Sequence, residues 1–192
     1  MYQIFFKRLF DIIFSLGLII FLSPVMILIF FLVWFTIGFP IFRQKRPGLN
    51  NEIFTLYKFK TLYGTSKNIS EKKRQSTVGN FLRKTGLDEL PQLFNILENN
   101  MSFVGPRPLL VEYLKTYSKY EKKRHLVKPG ITGLAQVNPE LSGIKSWKKS
   151  IKLDIYYVSN ISFILDIQIL FKTVELILFK KKQYKDFKKF YE

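Results

Sequence analysis

"IIFSLGLIIFLSPVMILIFFLVWFTIGFPIF", residues 12–42, carries no charged side chain and is rich in Ile, Leu and Phe. A helix needs about 20 apolar residues to cross the hydrocarbon core of a bilayer, and this run exceeds that. A cleaved secretory leader has an apolar region of about 7–15 residues followed by a small-residue cleavage site. This run is longer and no such site follows it, so residues 1–42 are read as a retained membrane anchor.

Two features bear on how the anchor sits. Ser23-Pro24 falls near the middle of the run. A proline there removes one backbone N–H and crowds the carbonyl four residues back, that of Ile20. Within a membrane the freed group must find a partner inside the protein, and the Ser23 hydroxyl is at hand. Lys7 and Arg8 flank one end of the run, and Arg43, Lys45 and Arg46 flank the other. Positive flanks favour the cytoplasmic side. A straight span puts one of them on the wrong side, whereas a helix that breaks at Ser23 and Pro24 and returns keeps both together. The expectation is a re-entrant helix–break–helix, with a kinked spanning helix as the competing reading.

The rest of the chain is of a different character. Apart from Lys7, Arg8 and Asp11, every charged residue lies beyond Phe42, and the 192 residues sum to a net charge of +17. Such an excess points to an anionic partner: nucleic acid, anionic lipid or a phosphorylated small molecule. The length suits one domain with an appendage, and a hydrophobic fraction of 47% is ample for a core. The absence of cysteine excludes a disulfide framework and a thiolate metal site.

After the Pro47-Gly48 turn, "FTLYKFK" alternates as a short strand does, with Leu56, Lys58 and Lys60 on one face and Thr55, Tyr57 and Phe59 on the other. The two lysines mark either a solvated face or a phosphate contact. "SKNISEKKRQST" reads as a polar loop and "VGNFLRKTG" as a short helix ended by Gly86. From Leu90 the apolar spacing turns helical (Leu90, Leu93, Phe94, Leu97), with Pro91 in the first turn, where its missing N–H costs nothing. "TGLDELPQL" (85–93) thereby sets Asp88 and Glu89 at a helix start, among unpaired N–H groups. Two acids there either complement the helix dipole or supply a nucleophile and a metal ligand.

"SFVGPRPLL" (102–110) brackets Arg107 between two prolines, a stiff backbone suited to holding a guanidinium for a phosphate. His125, the single histidine, sits beside Arg124 in "RHLVKPGITGLAQVN" and is read as structural. In "LDIQILFKTVELILF", Gln168, Lys172 and Glu175 share a helical stripe, the mark of a helix lying on a surface. Asp166 falls off that stripe, as an N-cap or pointing into a site. Residues 181–192 interleave lysines with aromatics, as in a tail on anionic lipid.

Taken together, "KRLFDIIFSLGLIIFLSP", "FRQKRPGLN", "YKFKT", "LRKTGLDELPQLFNIL", "MSFVGPRPLLVEYL", "RHLVKPGITGLAQVN" and "LDIYYV" followed by "LDI" closely resemble the small monotopic phosphoglycosyl transferases of the bacterial sugar transferase family, over nearly the whole chain. The resemblance implies a mainly helical α+β fold. It has a re-entrant anchor (1–42), a catalytic domain (43–180) with a short β-hairpin and interfacial amphipathic helices, and a basic tail (181–192). It implies an enzyme at the cytoplasmic face of the bacterial inner membrane that moves a sugar-1-phosphate from a UDP-sugar to polyprenol phosphate, with release of UMP. Nucleic acid is not among the partners it implies.

By the same resemblance Asp88 is the nucleophile that forms a covalent phosphosugar intermediate, and Glu89 is a ligand of Mg2+. Arg107 meets the nucleotide or its phosphates, and Lys58 or Lys60 meets a phosphate. Asp154 and Asp166 match acidic positions near the active site. Arg124 and His125 match a motif counted with the substrate-binding residues. The chain departs from the family after "AQVN", where Pro139 and Glu140 stand in place of the usual Gly and Arg, and this bears on sugar specificity. The segment between Thr61 and Val78 is also short for the family. A membrane-tethered basic binding or scaffold protein is the alternative. It accounts for the charge and the anchor but leaves "LDELP" and "GPRP" unused, and under it Asp88→Asn abolishes no reaction.

Overall fold

The computed structural model describes residues 2–64, 70, 74–138 and 147–179. The divergent 139–146 stretch, most of the 66–77 loop and the tail lie outside them.

A short π-helical turn, Tyr2–Phe6, leads into α1, Lys7–Ile37, a 31-residue helix long and apolar enough to cross a membrane. At 1.5 Å per residue it extends about 46 Å. The helix continues through Pro24 instead of ending there. Proline cannot serve the Ile20 carbonyl, and the Ser23 hydroxyl donates to that same oxygen at 2.8 Å. The repair is local and needs no neighbouring helix.

Only two short stripes of α1 are buried: Asp11 and Ser15 near one end, and Ile29, Val33 and Ile37 near the other. Ile20, Phe21, Ile27 and Leu28 between them are exposed. Both stripes rest on the same folded body. Asp11 accepts from the Ser102 hydroxyl (3.1 Å) and the Phe103 N–H (3.0 Å). Ile29, Val33 and Ile37 pack with Phe59 and Leu82. Arg8 donates to the carbonyls of Ile96 (2.6 Å) and Leu97 (3.0 Å) at the end of the helix that closes at Leu97, the first of which also accepts from Asn99 N–H at 3.0 Å.

The hairpin expected after the anchor is present. β1 (Ile41–Pro47) pairs antiparallel with β2 (Ile53–Phe59), Ile41 opposite Phe59 and Pro47 opposite Ile53. The reversal lies at Gly48–Glu52, just past Pro47, and places Asn50 (φ 51°) and Asn51 (φ 66°) in the left-handed region that asparagine tolerates. Helix α2 (Thr77–Thr85) is capped by Ser76, whose oxygen accepts from Gly79 N–H at 2.8 Å, and stops at Gly86 (φ 75°). A 3-10 turn, Leu87–Glu89, runs through Leu90 and Pro91 into α3, Gln92–Leu97.

A second sheet escaped the sequence reading. β3 (Ser102–Val104) pairs in parallel with β4 (Gly130–Thr132), each only three residues long. Gly105 and Gly130 let the two chains close up: a Cβ on Gly130 would lie 2.1 Å from the Gly105 nitrogen. Strands this short carry no readable period.

Helix α4 (Trp147–Ser159) buries Ile151, Asp154, Ile155 and Tyr157. Helix α5 (Phe163–Phe179) buries Asp166 and Ile169 and exposes Phe163, Ile164, Phe171, Val174, Ile177 and Leu178. Gln168, Lys172 and Glu175 are exposed as well, as their shared stripe requires. The side-chain cap of α5 is Ser162, which accepts from Leu165 N–H at 3.2 Å. Asp166 is inside the first turn and faces inward.

Candidate active site

The turn that carries Asp88 and Glu89 is oriented by its apolar neighbours. Leu87 and Leu90, three apart and therefore on one side of a 3-10 turn, pack into the cluster of Ile29, Val33, Phe59 and Leu82. The two acids between them are left to the polar side. Asn95, one turn into α3 and fully buried, then locks this helix to the hairpin. Its carbonyl oxygen accepts from Tyr57 N–H at 3.0 Å and its amide donates to the Thr55 carbonyl at 2.8 Å. The side chain thus behaves like a neighbouring strand.

That lock sets the two lysines apart. Phe54 and Leu56 are buried toward the body, and Lys58 follows them on the same face, pointing inward and not to solvent. Its ammonium meets Glu89 Oε1 at 2.6 Å. Lys60 lies past the end of β2, where its backbone N–H donates to the Pro40 carbonyl at 2.7 Å, and its side chain is not brought to the dyad. From the other side Arg107 Nη2 reaches the same Glu89 Oε1 at 2.8 Å, with the Arg107 side chain 46% exposed.

The electrostatics differ sharply between the adjacent acids. Burial would raise the Glu89 carboxyl, but Arg107 and Lys58 outweigh it and hold the group down at about 2. Burial pushes the Asp88 carboxyl above the ordinary range, with Lys58 opposing it and Glu89 adding to it. Burial likewise lowers Lys58, against the pull of Glu89. The 2.6 Å contact marks the Lys58–Glu89 pair as ionic. Arg83, at the end of α2, also acts on Asp88 and donates to Thr61 Oγ1 at 2.8 Å. Sequence reasoning passed over Arg83. The signal available was a basic residue in the last turn before a left-handed glycine, where the chain reverses toward the acids.

The remaining expected site residues fall into two groups. Arg124 is buried and donates to Asp154 Oδ2 through Nε (3.0 Å) and Nη2 (2.7 Å), and Nη2 also reaches the Arg107 carbonyl at 2.8 Å. His125 is buried beside them and hydrogen-bonds the Gly48 backbone. Burial foremost, and then Arg124, lower its imidazole to about 4, so it is neutral at pH 7. These three lie behind the Gly105–Pro108 loop. Asp166 belongs elsewhere: it takes Lys7 Nζ (2.5 Å), the Tyr2 hydroxyl (2.7 Å) and the Tyr157 hydroxyl (2.7 Å), joining α5 to the start of α1 and to α4. No described group of three or more His, Cys, Asp or Glu side chains could enclose a metal ion.

Residues 2–180 match the family described as Bacterial sugar transferase. The chain is 43% identical to the "Uncharacterized sugar transferase EpsL" of Bacillus subtilis (strain 168), over 90% of this chain and 87% of that one. It is 42% identical to the "UDP-glucose:undecaprenyl-phosphate glucose-1-phosphate transferase" of Klebsiella pneumoniae, over 88% of this chain and 39% of that one. It is 35% identical to the "Undecaprenyl-phosphate galactose phosphotransferase" of Salmonella typhimurium, over 91% of this chain and 40% of that one. The chain therefore spans most of the first relative and about two fifths of the other two. With matched motifs, a family match across nearly its full length and the dyad held among cations, this chain belongs to the bacterial sugar transferase family.

Proposed function

We propose that this protein transfers a sugar-1-phosphate from a UDP-sugar to polyprenol phosphate, releasing UMP, by way of a phosphosugar bonded to Asp88. The observation that carries the proposal is a buried carboxylate, Asp88, beside a second carboxylate and within reach of three cationic side chains, Lys58, Arg83 and Arg107. A carboxylate approaching a diphosphate is an anion approaching an anion, so positive charge must already be in place. The name of the Klebsiella relative agrees with this substrate pair, and that of the Salmonella relative agrees with the lipid acceptor.

In the first displacement an Asp88 carboxylate oxygen bonds to the phosphorus that bears the sugar. The bond from that phosphorus to the bridging oxygen breaks, and its electron pair leaves with UMP. In the second, a polyprenol phosphate oxygen attacks the same phosphorus and returns Asp88 as a carboxylate. Division into two displacements lets the water-soluble and lipid substrates use one site in turn. Lys58 holds Glu89 in place, and Arg107, more exposed and with a planar fork, suits the diphosphate oxygens.

The donor set fits magnesium. This ion takes one or two carboxylates and fills its remaining positions with water and substrate phosphate. Glu89 would hold it beside Asp88, where both cationic side chains contact a single oxygen of Glu89. When bound, the ion would reduce the repulsion between the anions and stabilise the departing UMP.

The anchor is proposed to be re-entrant, with the catalytic domain at the cytoplasmic face of the inner membrane. Lys7, Arg8 and Asp11 at one end, and Ile29, Val33 and Ile37 at the other, touch one folded body. A span would carry those ends to opposite faces of the bilayer. The exposed apolar face of α5 suits the interface.

The test is incubation of the purified protein with UDP-sugars, undecaprenyl phosphate and magnesium. UMP release together with a trapped phosphosugar on Asp88 is expected. Lipid product without added mass on residue 88 would overturn the covalent route. Labelling of cysteines placed at 2 and 50 tests the anchor, and accessibility from opposite sides would refute it.

A further inference from the structure

The Gly105–Pro108 loop poses a mechanical problem. Two of its residues, Pro106 and Pro108, have no N–H, so the segment must be held mainly through its carbonyls. Three consecutive carbonyls each have a donor. Pro106 O accepts from Gly130 N–H at 3.1 Å, Arg107 O from Arg124 Nη2 at 2.8 Å and Pro108 O from Arg46 Nη1 at 3.2 Å. The middle donor is the unusual one. The Arg124 and Asp154 side chains are 2% and 5% exposed, and burying such a pair is costly unless each group is well bonded.

Here the bonding is close to complete. Asp154 Oδ2 takes two guanidinium nitrogens, and Nη1 reaches the Tyr117 hydroxyl at 3.3 Å. The guanidinium carbon lies 5.9 Å from the Tyr117 ring centre, and Trp147 stacks on that ring at 5.9 Å. We propose that the Arg124–Asp154 pair is a positioning device that acts through the Arg107 backbone, fixing where the Arg107 guanidinium stands relative to Glu89 and the donor diphosphate. Neither residue touches substrate. This rests on the functional reading above, which counts Arg107 as the diphosphate contact.

Arg124→Lys keeps the charge opposite Asp154 but not the planar fork that spans both the carboxylate and the carbonyl. The expected result in the full-length protein in detergent is hydrogen exchange at least about tenfold faster at the loop's exchangeable amides, those of Gly105, Arg107, Leu109 and Leu110, as a lost charge-assisted bond allows. Amides of α2 and α3 stay protected, which verifies that the variant is folded. The KM for UDP-sugar rises about tenfold for the loss of one such bond while that for polyprenol phosphate is unchanged. The double variant with Arg107→Ala is no worse in UDP-sugar KM than Arg107→Ala alone, the signature of one residue acting through another. Asp154→Asn gives the same pattern and serves if Arg124→Lys does not fold.

Unchanged exchange at 105–110 would overturn the proposal, as would an additive double variant or an equal rise in both KM values. If the wild-type protein released no UMP, the functional reading would fall, and the exchange result alone would decide whether the pair holds the loop.

Discussion

Glu89→Gln isolates what the ion-paired oxygen contributes. The substitution keeps the shape and one carbonyl oxygen for Lys58 and Arg107 but removes the charge. A carboxyl held at about 2 instead of 4.5 corresponds to about 3 kcal/mol at pH 7, at about 1.4 kcal/mol per pH unit. Because Arg107 is nearly half exposed, solvent screens part of its share, leaving about 2 kcal/mol. For a chain of this size that lowers Tm by about 4–8 °C.

The sign with pH follows from the depressed value. The stabilisation is fully present above the unfolded-state pKa of 4.5 and is lost as pH falls from there toward 2. The gap between wild type and variant should therefore be flat from about pH 7 to pH 5.5 and reduced by somewhat under half near pH 3.5. Thermal unfolding in a mild detergent, followed by circular dichroism at several pH values, measures it. A Tm loss under about 1 °C at pH 7, or one that does not shrink on acidification, would refute the reasoning. It would show that the two contacts hold the site by packing alone.

Asp88→Asn should abolish UMP release yet raise Tm at pH 7, because burial disfavours the ionised carboxylate. That gain should disappear on acidification, as the wild-type group takes up its proton, and a Tm at or below wild type at neutral pH would count against it. Lys58→Met should lower kcat by about a hundredfold or more, whereas Lys60→Met should leave it within a few fold; steady-state rates showing the reverse order would place the phosphate contact on Lys60. Ser23→Ala strands the Ile20 carbonyl in a proline-containing helix and should cost about 1–3 kcal/mol in lipid nanodiscs. Unaltered unfolding there would mean that lipid or water supplies the missing donor.

Much of the site is legible along the chain because it is local. Pro91 and Gly86 punctuate the backbone around Asp88 and Glu89, and a glycine in the left-handed region ends α2 where the sequence says it must. Other parts have no local mark. Lys58 and Lys60 are equivalent by period, and only the Asn95 contact with β2 places one of them at the dyad. Arg124 and Asp154 are 30 residues apart and meet each other instead of the dyad. Asp166 pairs with Lys7 across 159 residues. The β3–β4 pair is too short to show any alternation.

The amino-acid order alone determined the long apolar N-terminal helix, the left-handed glycine that ends α2 just ahead of the two acids, and the family, since each depends on composition, spacing or backbone stereochemistry within a few residues. The break expected at Ser23-Pro24 is instead bridged, because the Ser23 hydroxyl serves the Ile20 carbonyl. Only the tertiary structure decided which cations face Glu89, which acid serves the anchor, and that a buried arginine steadies a loop through a carbonyl. Those outcomes depend on the depth at which β2, α3 and α4 pack against one another. Packing depth is set by side chains far apart in the chain, and it leaves no period to read.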